Sequence, residues 1–427
     1  MPSPPLSYRA ATGLLRPLLP LVAPFDARLA RGLAGRRAFQ SALPEAARRL
    51  AGRTVLHVHA ASAGELRYAE PVIARLRREH PAWCWVITYF SPSAAPFAAE
   101  LAPDLHGHLP WDTPAEVAAF LGTLPLTASL VSRLDLWPEF AAQAARRRIP
   151  LVLIAAGMRP DSGRLGLLGR HALGPAYASV AAAAAVAPED VPRLQRLGVP
   201  RDRIHVLGDP RADQVRERVA RDEPARRWPA LLAGGPLLVA GSTWRPDEQL
   251  LLAAFRQVRQ LHPAARLVLA PHQPDPAALA AITREALALG LPAPQLVAGA
   301  SLDAPIAVLD QVGPLNLLYG AGTIAYVGGG FGRGLHSVLE PAAWSLPVLV
   351  GPRWRGHADA ERLAVAGGLF GLPAEGTKEA LVERWARWLG LETDRAVAGA
   401  AARAVVDAAA GAADRTAGLV ERVLAGY

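Results

Sequence analysis

The sequence predicts an α/β protein built from two parallel sheets, each covered by helices. The chain has 427 residues, about twice the length that one hydrophobic core usually serves. Short apolar runs alternate with helix-like segments, which is typical of a doubly wound sheet. The alternation breaks over the charged stretch Val206–Pro229 and then restarts. We therefore predict two domains joined near residue 220, with ligands bound beyond the carboxyl ends of the strands, in the cleft between the domains.

The apolar runs place the strands of both domains. In the first half the predicted strands are Thr54–Ala60, Trp83–Tyr89, Ala128–Val131 and Leu151–Ala155, and the predicted helices are Gly64–Glu79, Thr113–Leu121 and Pro138–Arg148. In the second half the predicted strands are Leu237–Ala240, Arg266–Ala270, Ile306–Leu309, Ile324–Val327 and Val348–Val350.

The composition excludes several classes of protein. With 51% apolar and 19% charged residues, the chain is neither disordered nor a coiled coil, and its one cysteine, Cys84, permits no internal disulfide. The net charge is +9, and the positive charge is carried almost entirely by arginine, which suits phosphate, carboxylate and anionic membranes. We expect no nucleic-acid partner, because the arginines are spread over helix faces without a dense basic run or finger spacing.

The amino-terminal segment Ala10–Phe25 (AATGLLRPLLPLVAPF) is the membrane-like part of the chain. It is too short to span a bilayer of about 30 Å and is interrupted by Arg16 and by prolines. A signal peptide is not expected, because Arg16 interrupts the apolar core. The following stretch, Asp26–Arg37, carries four arginines. Together the two stretches predict an interfacial anchor, and the alternative is a helix packed on the protein's own surface.

The first candidate catalytic residue is Glu65. It follows the strand that ends at Ala60 and lies in the first turn of the next helix, where the helix dipole favours an ionised carboxylate. An ionised carboxylate at this position could accept a proton from an incoming hydroxyl. The pattern Ser62-x-x-Glu65 is also that of a helix-capping box, so a purely structural role stays open.

The second candidate site is the glycine-rich segment Tyr326–Pro341 (YVGGGFGRGLHSVLEP). Glycines let backbone N–H groups approach an anion, Arg333 adds a full positive charge, and a helix is expected to start near His336 and Ser337. Glu340 is placed to accept hydrogen bonds from ribose hydroxyls. The pattern therefore predicts a phosphate-binding turn, although tight turns use glycine for other reasons too.

Seven short segments together resemble one known family, the 3-deoxy-D-manno-octulosonate (Kdo) transferases. The segments are residues 59–65 (HAASAGE), 133–138 (RLDLWP), 208–213 (GDPRAD), 241–243 (GST) followed by Asp247 and Glu248, 269–271 (LAP), 328–341 and 351–352 (GP). The resemblance covers nearly the whole chain. It implies an inverting glycosyltransferase of the GT-B class, with two Rossmann-like domains facing a central cleft.

The resemblance also implies a division of the chain and roles for its residues. Residues 1–45 would associate with the membrane, 46–220 would bind the acceptor, 221–410 would bind the nucleotide sugar, and 411–427 would form a carboxy-terminal helix. Glu65 would be the general base, with Ser62, Gly64, Arg133 and Asp135 on the acceptor side. The donor would be held by Ser242, Thr243, His272, Gly328, Gly329, Gly330, Arg333, His336, Ser337 and Glu340.

The partners follow from the same resemblance. The donor would be CMP-Kdo and the acceptor a lipid A precursor of lipopolysaccharide, at the cytoplasmic face of the inner membrane. The donor already carries an activated anomeric carbon and a phosphate leaving group, so the protein needs to deprotonate the acceptor and stabilise departing CMP. We expect no metal and no cofactor, since the sequence has no His/Asp cluster with ligand spacing.

The sequence departs from the family pattern in three segments, at His272 and Gln273, at Asp135, and at Leu335 and Ser337. The strand ending at Pro271 is usually followed by Arg, whereas here His272 follows and is expected to point toward the donor phosphate. The missing guanidinium would be replaced by a protonated His272, by Arg245 or by Arg333. Asp135 stands where the family has Glu, and Ser337 stands where it has Asn. Two alternatives therefore stay open: a GT-B transferase with another nucleotide sugar and acceptor, and a GT-B scaffold that binds without catalysis.

Overall fold

The computed structural model describes residues 3–222, 234–297 and 304–426. The chain forms two compact units, Met1–Asp213 with Ala409–Tyr427, and Gln214–Ala408. Each unit contains a seven-stranded sheet whose paired strands are parallel and are connected by helices. The predicted α/β class with two doubly wound sheets is confirmed. Arg226–Pro229, the end of the charged stretch, lies outside the described residues.

The first unit alternates strands and helices from residue 55 onward. Its strands are β1 Val55–Ala60, β2 Cys84–Tyr89, β3 Leu105–His108, β4 Ala128–Ser132, β5 Leu151–Ala156, β6 Ala182–Ala185 and β7 Ile204–Val206. Its helices are α1 Leu6–Leu15, α2 Leu19–Val22, α3 Ala27–Leu50, α4 Ala63–Glu79, α5 Ala95–Glu100, α6 Pro114–Thr123, α7 Pro138–Arg146, α8 Leu167–Ala178 and α9 Asp190–Leu197. Helix α10, Arg211–Arg221, leads into the second unit.

The second unit repeats this alternation. Its strands are β8 Leu237–Thr243, β9 Arg266–Pro271, β10 Gln295–Leu296, β11 Ile306–Val308, β12 Ile324–Val327, β13 Val348–Val350 and β14 Leu369–Gly371. Its helices are α11 Arg245–Leu261, α12 Pro276–Ala288, α13 Leu315–Tyr319, α14 Leu339–Ala343, α15 Ala358–Val365, α16 Thr377–Gly390 and α17 Glu392–Ala408. The chain then returns to the first unit as α18, Ala412–Ala425.

The strand order places each candidate site at a topological switch point. The first sheet runs β3-β2-β1-β4-β5-β6-β7 and the second runs β10-β11-β9-β8-β12-β13-β14. In each sheet the first strand in the chain, β1 or β8, pairs with one strand on either side, and the connections from there lead in opposite directions. The crevice beyond the carboxyl end of such a strand is where open α/β sheets bind ligands. Glu65 follows β1, and Ser242 and Thr243 end β8.

The two faces of β1 belong to different cores. Leu56, Val58 and Ala60 pack with α4 and α18 in one apolar cluster. Val55 packs in a second cluster that contains Phe120 of α6. His57 and His59 share the face of Val55 because side chains alternate along a strand.

The amino-terminal helix α1 is attached to the first unit by polar contacts. The Tyr8 hydroxyl donates to Asp112 at 2.7 Å, and Arg9 Nε donates to Glu139 at 2.8 Å. Further along, Arg16 Nε donates to Glu116 at 2.6 Å. Because Asp112 and Glu139 are both buried, these contacts give the helix a defined attachment rather than a loose one.

One helical stretch of the described chain, Glu392–Ala425, is apolar and long enough by composition alone to cross a membrane. A turn at Gly411, whose φ is 78°, divides it into α17 and α18. The two helices belong to different units, and each buries one side there, with Val406 of α17 and Val420 of α18 fully covered. We interpret both as core helices. The structure thus groups α18 with the first unit, where it packs on α4, whereas the sequence treated 411–427 as a separate segment.

Candidate active site

Glu65 lies at the start of α4, directly beyond the buried strand β1. The Ala61 N–H donates to Glu65 Oε2 at 2.9 Å, and the Ser62 hydroxyl accepts the Glu65 N–H at 3.4 Å. Glu65 and Ser62 therefore cap the helix. The Glu65 carboxylate accepts from the backbone N–H of Ala61, whereas in a standard capping box it would accept from that of Ser62. Glu65 Oε1 accepts no hydrogen bond from the described residues. Half of the carboxylate is available to a ligand.

The pKa of Glu65 is raised above its usual value, chiefly by burial. The hydrogen bond from Ala61 acts in the opposite direction, the nearby carboxylate of Asp135 raises the pKa further, and Arg133 lowers it. Loss of hydration therefore outweighs the expected effect of the helix terminus. A carboxylate with a raised pKa holds an abstracted proton more strongly, which suits a general base.

Asp135 is the acidic neighbour of Glu65. Its Oδ2 is 3.0 Å from His59 Nε2, and His59 is buried on β1. Burial by itself raises the pKa of Asp135, but the hydrogen bond with His59 holds it below its usual value. Asp135, which is shorter than the Glu expected from the resemblance, is thus ionised, and it is hydrogen-bonded to His59.

Arg133 adopts a backbone conformation that side-chain-bearing residues rarely use, with φ at 61°. Its N–H donates to the Ile154 carbonyl at 2.8 Å, which stabilises this conformation. The guanidinium carbon lies 4.9 Å from the ring centre of Tyr68, and that of Arg211 lies 4.1 Å from the same ring. Tyr68 and Arg211 were not among the predicted site residues, although Arg211 belongs to one of the family-like segments. Arg133 places positive charge on the acceptor side of the site, whereas the charge of Arg211 is paired with the buried Asp209 at 2.6 Å.

Gly64, predicted on the acceptor side, is exposed and has no local steric need for glycine. A Cβ built on it would have Ser62 Oγ, at 3.8 Å, as its only neighbour within 4 Å. The surface next to Glu65 is therefore open.

The glycine-rich turn of the second unit is held by one buried carboxylate, Asp247. Its Oδ2 accepts the N–H of Trp244 at 2.9 Å and the N–H of Gly329 at 3.1 Å, and its Oδ1 accepts the Tyr326 hydroxyl at 2.7 Å. Asp247 thus joins the start of α11 to the turn after β12. The sequence identified Asp247 only as part of a family-like segment, because a motif does not show which groups donate hydrogen bonds to a carboxylate.

Three glycines of the turn have no space for a side chain. A Cβ at Gly328 would lie 2.3 Å from the Ser242 carbonyl oxygen, one at Gly329 would lie 2.1 Å from that of Gly334, and one at Gly330 would lie 2.7 Å from the Gly351 backbone. The glycines therefore allow backbone segments to approach each other closely, in addition to any role toward an anion.

His272 lies in an aromatic cluster with Trp244 and His336. The ring centre of His272 is 4.7 Å from that of Trp244 and 4.5 Å from that of His336, and Trp244 Nε1 donates to His336 Nε2 at 3.1 Å. Burial lowers the pKa of His272, and burial together with the neighbouring histidines lowers that of His336 to about 4. Both rings are neutral near pH 7, so His272 does not replace the guanidinium of the family.

Arginines border a cavity of about 360 Å³ beside this cluster. The lining includes Trp244, Arg245, Gly329, Arg333 and Arg353. Arg245 is paired with Glu285 at 2.5 Å, whereas no ion pair of Arg333 or Arg353 is found over residues 3–222, 234–297 and 304–426. The Arg333 guanidinium lies 5.0 Å from the Trp244 ring centre. The cavity is therefore suited to an anion.

The remaining predicted donor residues have different surroundings. Thr243 is buried and its hydroxyl donates to Glu248 at 3.2 Å, while Ser242 has a φ of 53°. The helix expected near His336 and Ser337 begins only at Leu339 and has five residues. Those two residues thus precede the helix, because the glycine-rich turn continues to His336. Glu340 is in the first turn of that helix, and its charge adds to the effect of burial in raising the pKa of Tyr319.

A group able to ligate a metal lies elsewhere. Among the described residues, Glu79, His80 and Glu421 bring their ligand atoms within 4.8 Å of one another. Glu79 ends α4, about 21 Å along the helix from Glu65 at 1.5 Å per residue. The group is therefore not part of the candidate active site.

The chain is similar to one family of known proteins. Residues 31–214 match a family model described as "3-Deoxy-D-manno-octulosonic-acid transferase (kdotransferase)". The 3-deoxy-D-manno-octulosonic acid transferase of Bordetella pertussis is 32% identical over 377 residues, which cover 84% of this chain and 85% of that protein. The Haemophilus influenzae protein of the same name is 26% identical over 311 residues, 69% of this chain and 70% of its own.

The solved structures confirm the fold class. The UDP-GlcNAc 2-epimerase from Neisseria meningitidis, determined with bound UDP-GlcNAc, superposes with a TM-score of 0.61 at 13% identity. The match covers 88% of this chain and 100% of the epimerase. At this identity the likeness shows the GT-B-like fold alone.

Proposed function

This chain belongs to the 3-deoxy-D-manno-octulosonic acid transferase family and is a glycosyltransferase, and we propose that it transfers Kdo from CMP-Kdo to a lipid A precursor with inversion at the anomeric carbon. The observation that carries the mechanism is Glu65, a half-buried carboxylate with a raised pKa and an oxygen that no described residue occupies. Glu65 is the general base of the proposed reaction.

In this mechanism a hydroxyl of the acceptor gives its proton to Glu65 as its oxygen attacks the anomeric carbon of Kdo. The bond from that carbon to the CMP phosphate breaks, and the phosphate leaves with the bonding electrons. Attack opposite to the leaving group inverts the configuration. Burial raises the pKa of Glu65 and ionised Asp135 raises it further, while Arg133 offers positive charge to an anionic acceptor.

The donor binds to the second unit through its negative charges. Backbone N–H groups of the glycine-rich turn, with Arg333 and Arg353, would hold the phosphate of CMP or the carboxylate of Kdo. As CMP departs, its phosphate gains charge, and fixed positive groups stabilise that charge without reorganising. Glu340 would accept hydrogen bonds from the ribose.

The membrane contact of the proposed function lies on the amino-terminal segment. Leu14 is 73% exposed, Leu21 is 68% exposed and Phe25 is 90% exposed, whereas the polar residues of α1 contact the protein. A helix that packs on its own protein normally buries its apolar side chains instead. We therefore favour the interfacial anchor at the cytoplasmic face of the inner membrane, with nearby arginines attracting anionic lipid.

The decisive test of function is incubation with CMP-Kdo and a tetra-acylated lipid A precursor, followed by mass spectrometry of the lipid. Addition of Kdo by the native chain and its loss in Glu65→Gln would support the proposal. Neutral His272 in place of the family's Arg favours one alternative, another nucleotide sugar as donor. Absence of CMP binding by the folded protein in calorimetry would move the assignment to that alternative.

The membrane proposal has a separate test. A variant with Leu14, Leu21 and Phe25 each changed to Glu keeps the polar contacts of α1 and removes three of the exposed apolar side chains of the amino-terminal segment. Membrane partitioning should weaken about tenfold for each side chain, since burying one contributes roughly 1.5–3 kcal/mol. The matched control changes exposed Leu261, Leu287 and Leu391 of the second unit in the same way. Equal partitioning of the two triple variants would contradict the proposal.

A further inference from the structure

Strand β1 carries two histidines whose side chains are buried in the core and are not used by the mechanism above. His57 is 0% exposed and His59 is 1% exposed. The rings of Phe120 and Phe140 lie 5.4 and 5.5 Å from that of His57. A buried polar network is no more stable than apolar side chains of the same shape. Stability alone therefore does not account for the two imidazoles.

The two rings belong to one continuous hydrogen-bonded chain that ends at the acceptor-side carboxylate. The chain runs from Ser129 Oγ to His57 Nδ1 at 2.8 Å, from His57 Nε2 to Thr88 Oγ1 at 2.7 Å, from Thr88 Oγ1 to His59 Nδ1 at 2.9 Å, and from His59 Nε2 to Asp135 Oδ2 at 3.0 Å. Strand register makes it possible: His59 pairs with Thr88 on β2, and His57 pairs with Ser129 on β4.

The carboxylate at the end of the chain sets the direction of every hydrogen bond. Ionised Asp135 can only accept, so His59 donates from Nε2 and its Nδ1 must accept. Thr88 then donates its hydroxyl hydrogen to His59 and accepts from Nε2 of His57. The remaining acceptor, His57 Nδ1, takes the hydroxyl hydrogen of Ser129. With both rings neutral and protonated on Nε2, each hydrogen bond has one donor and one acceptor.

We propose that His59 is a positioning residue for the reaction: the buried chain Ser129–His57–Thr88–His59 holds it neutral with Nε2–H directed at Asp135, which keeps Asp135 ionised beside Glu65. This inference rests on Glu65 being the general base. An ionised Asp135 increases the proton affinity of Glu65, whereas a protonated His59 would decrease it. Protonating His59 at Nδ1 would make Thr88 accept from both rings and would leave the Thr88 hydroxyl hydrogen without an acceptor in this hydrogen-bonded chain.

The charged and titratable groups around the chain come from several elements. His57 shares β1, Glu65 comes from α4, and Arg133 and Asp135 come from the segment after β4. Arg164, in the 3-10 helix Gly163–Leu165, also favours the ionised form of Asp135. Burial, with His59 second, lowers the pKa of His57 well below its usual value, which agrees with a neutral ring.

The tautomers are tested by nitrogen NMR of the full-length protein labelled with ¹⁵N-histidine, with resonances assigned from His57→Gln and His59→Gln. Both rings are expected as the neutral Nε2–H tautomer at pH 7.5. Either ring found as the Nδ1–H tautomer or as imidazolium would overturn the proposal. This measurement needs no substrate, so its result does not depend on whether Glu65 is the base.

The role in the reaction is tested with Thr88→Val, which removes the central hydroxyl and preserves side-chain shape. We expect kcat to fall about tenfold, less than the loss of 100-fold or more from removing a general base. The acid limb of the pH profile of kcat should move to higher pH, because the proposed reaction needs Glu65 and Asp135 both ionised, and Asp135 takes up its proton at a higher pH without an oriented donor. Thr88→Ser, which restores the hydroxyl, should recover both properties. An unchanged acid limb in folded Thr88→Val would overturn the proposal.

Two further variants make the result specific. Thr127→Val removes the hydrogen bond that the Val55 N–H donates to Thr127 Oγ1, which is not part of the buried hydrogen-bonded chain, and should leave the acid limb in place. If Thr88→Val fails to fold, Ser129→Ala tests the end of the hydrogen-bonded chain that is farthest from Asp135. We expect this variant to move the acid limb to higher pH by a smaller amount. Activity in Glu65→Gln would show that Glu65 is not the general base. If Glu65→Gln is inactive but Thr88→Val and Ser129→Ala leave the acid limb of the kcat profile unchanged, only the positioning role is refuted.

Discussion

The sites of the two units occupy equivalent places and are built from different groups. Glu65 follows β1 and Trp244 follows β8, each the first strand of its sheet along the chain and the one at the switch point. The first site is organised by buried polar side chains, in which His59 and Asp135 fix the surroundings of one carboxylate. The second is organised by close-packed backbone and by guanidinium groups around a cavity. Removing a proton depends on the proton affinity of one side chain, whereas holding an anion depends on many donors at once.

The strongest test of this difference is Glu65→Gln. The amide keeps the shape of the side chain but cannot take up a proton, so kcat should fall by roughly 100-fold or more while CMP binding is unchanged. Single-turnover kinetics and calorimetry measure the two properties separately. Glu79→Gln, at the other end of the same helix, is the matched control and should retain activity. Near-normal turnover of Glu65→Gln would leave only its capping role.

At the donor site the largest loss is expected from a change of backbone packing. Gly330→Ala places a methyl group 2.7 Å from the Gly351 backbone, so the turn must move and CMP affinity should fall more than about tenfold, with one or more kcal/mol of stability lost. At Gly334 no atom would lie within 4 Å of an added Cβ, although its φ is 95°. Gly334→Ala should therefore weaken CMP binding less, and calorimetry on both variants checks this ranking. Equal affinities would show that close packing at Gly330 is not needed for the donor.

A smaller effect is expected for single arginines. Arg333→Ala removes a guanidinium that has no acidic partner within the described residues and should weaken CMP binding about tenfold, since a charge-assisted hydrogen bond contributes roughly 1.5–3 kcal/mol. Arg245→Ala is the comparison, because the charge of Arg245 is already paired with Glu285. The affinity difference should shrink at high salt. A larger loss in Arg245→Ala would reverse the proposed roles.

The smallest effect is expected from His272→Arg. The pKa of His272 is lowered, so the native ring is neutral near pH 7 and gains charge only at acid pH. Arginine at this position should tighten CMP binding a few-fold at pH 7.5, and any increase of affinity on acidification that depends on His272 should disappear. Calorimetry at pH 7.5 and 5.5 tests both statements. Affinity that does not change at either pH would show that residue 272 lies outside reach of the anion.

The fold class, which the structure confirms, was predictable from local patterns. Apolar runs such as Thr54–Ala60 report burial directly, and β1 was observed within one residue of its predicted bounds. Strand β6 was missed because its four residues are all alanine, which has little intrinsic preference for a strand. Its place between β5 and β7 is decided by the sheet, not by its own side chains.

The order of residues alone shows which chemical groups are present: a carboxylate after the first strand, a glycine-rich turn after a later one, and a histidine after β9. Their protonation and their hydrogen-bond partners depend on the folded structure. Burial raises the pKa of Glu65 against the effect of its helix, and it keeps His272 neutral. The hydrogen bonds of Asp247 and the hydrogen-bonded chain from His57 to Asp135 join residues that are far apart in the sequence. A residue's identity is local, whereas its hydration and its hydrogen-bond partners are set by whichever segments the fold packs around it.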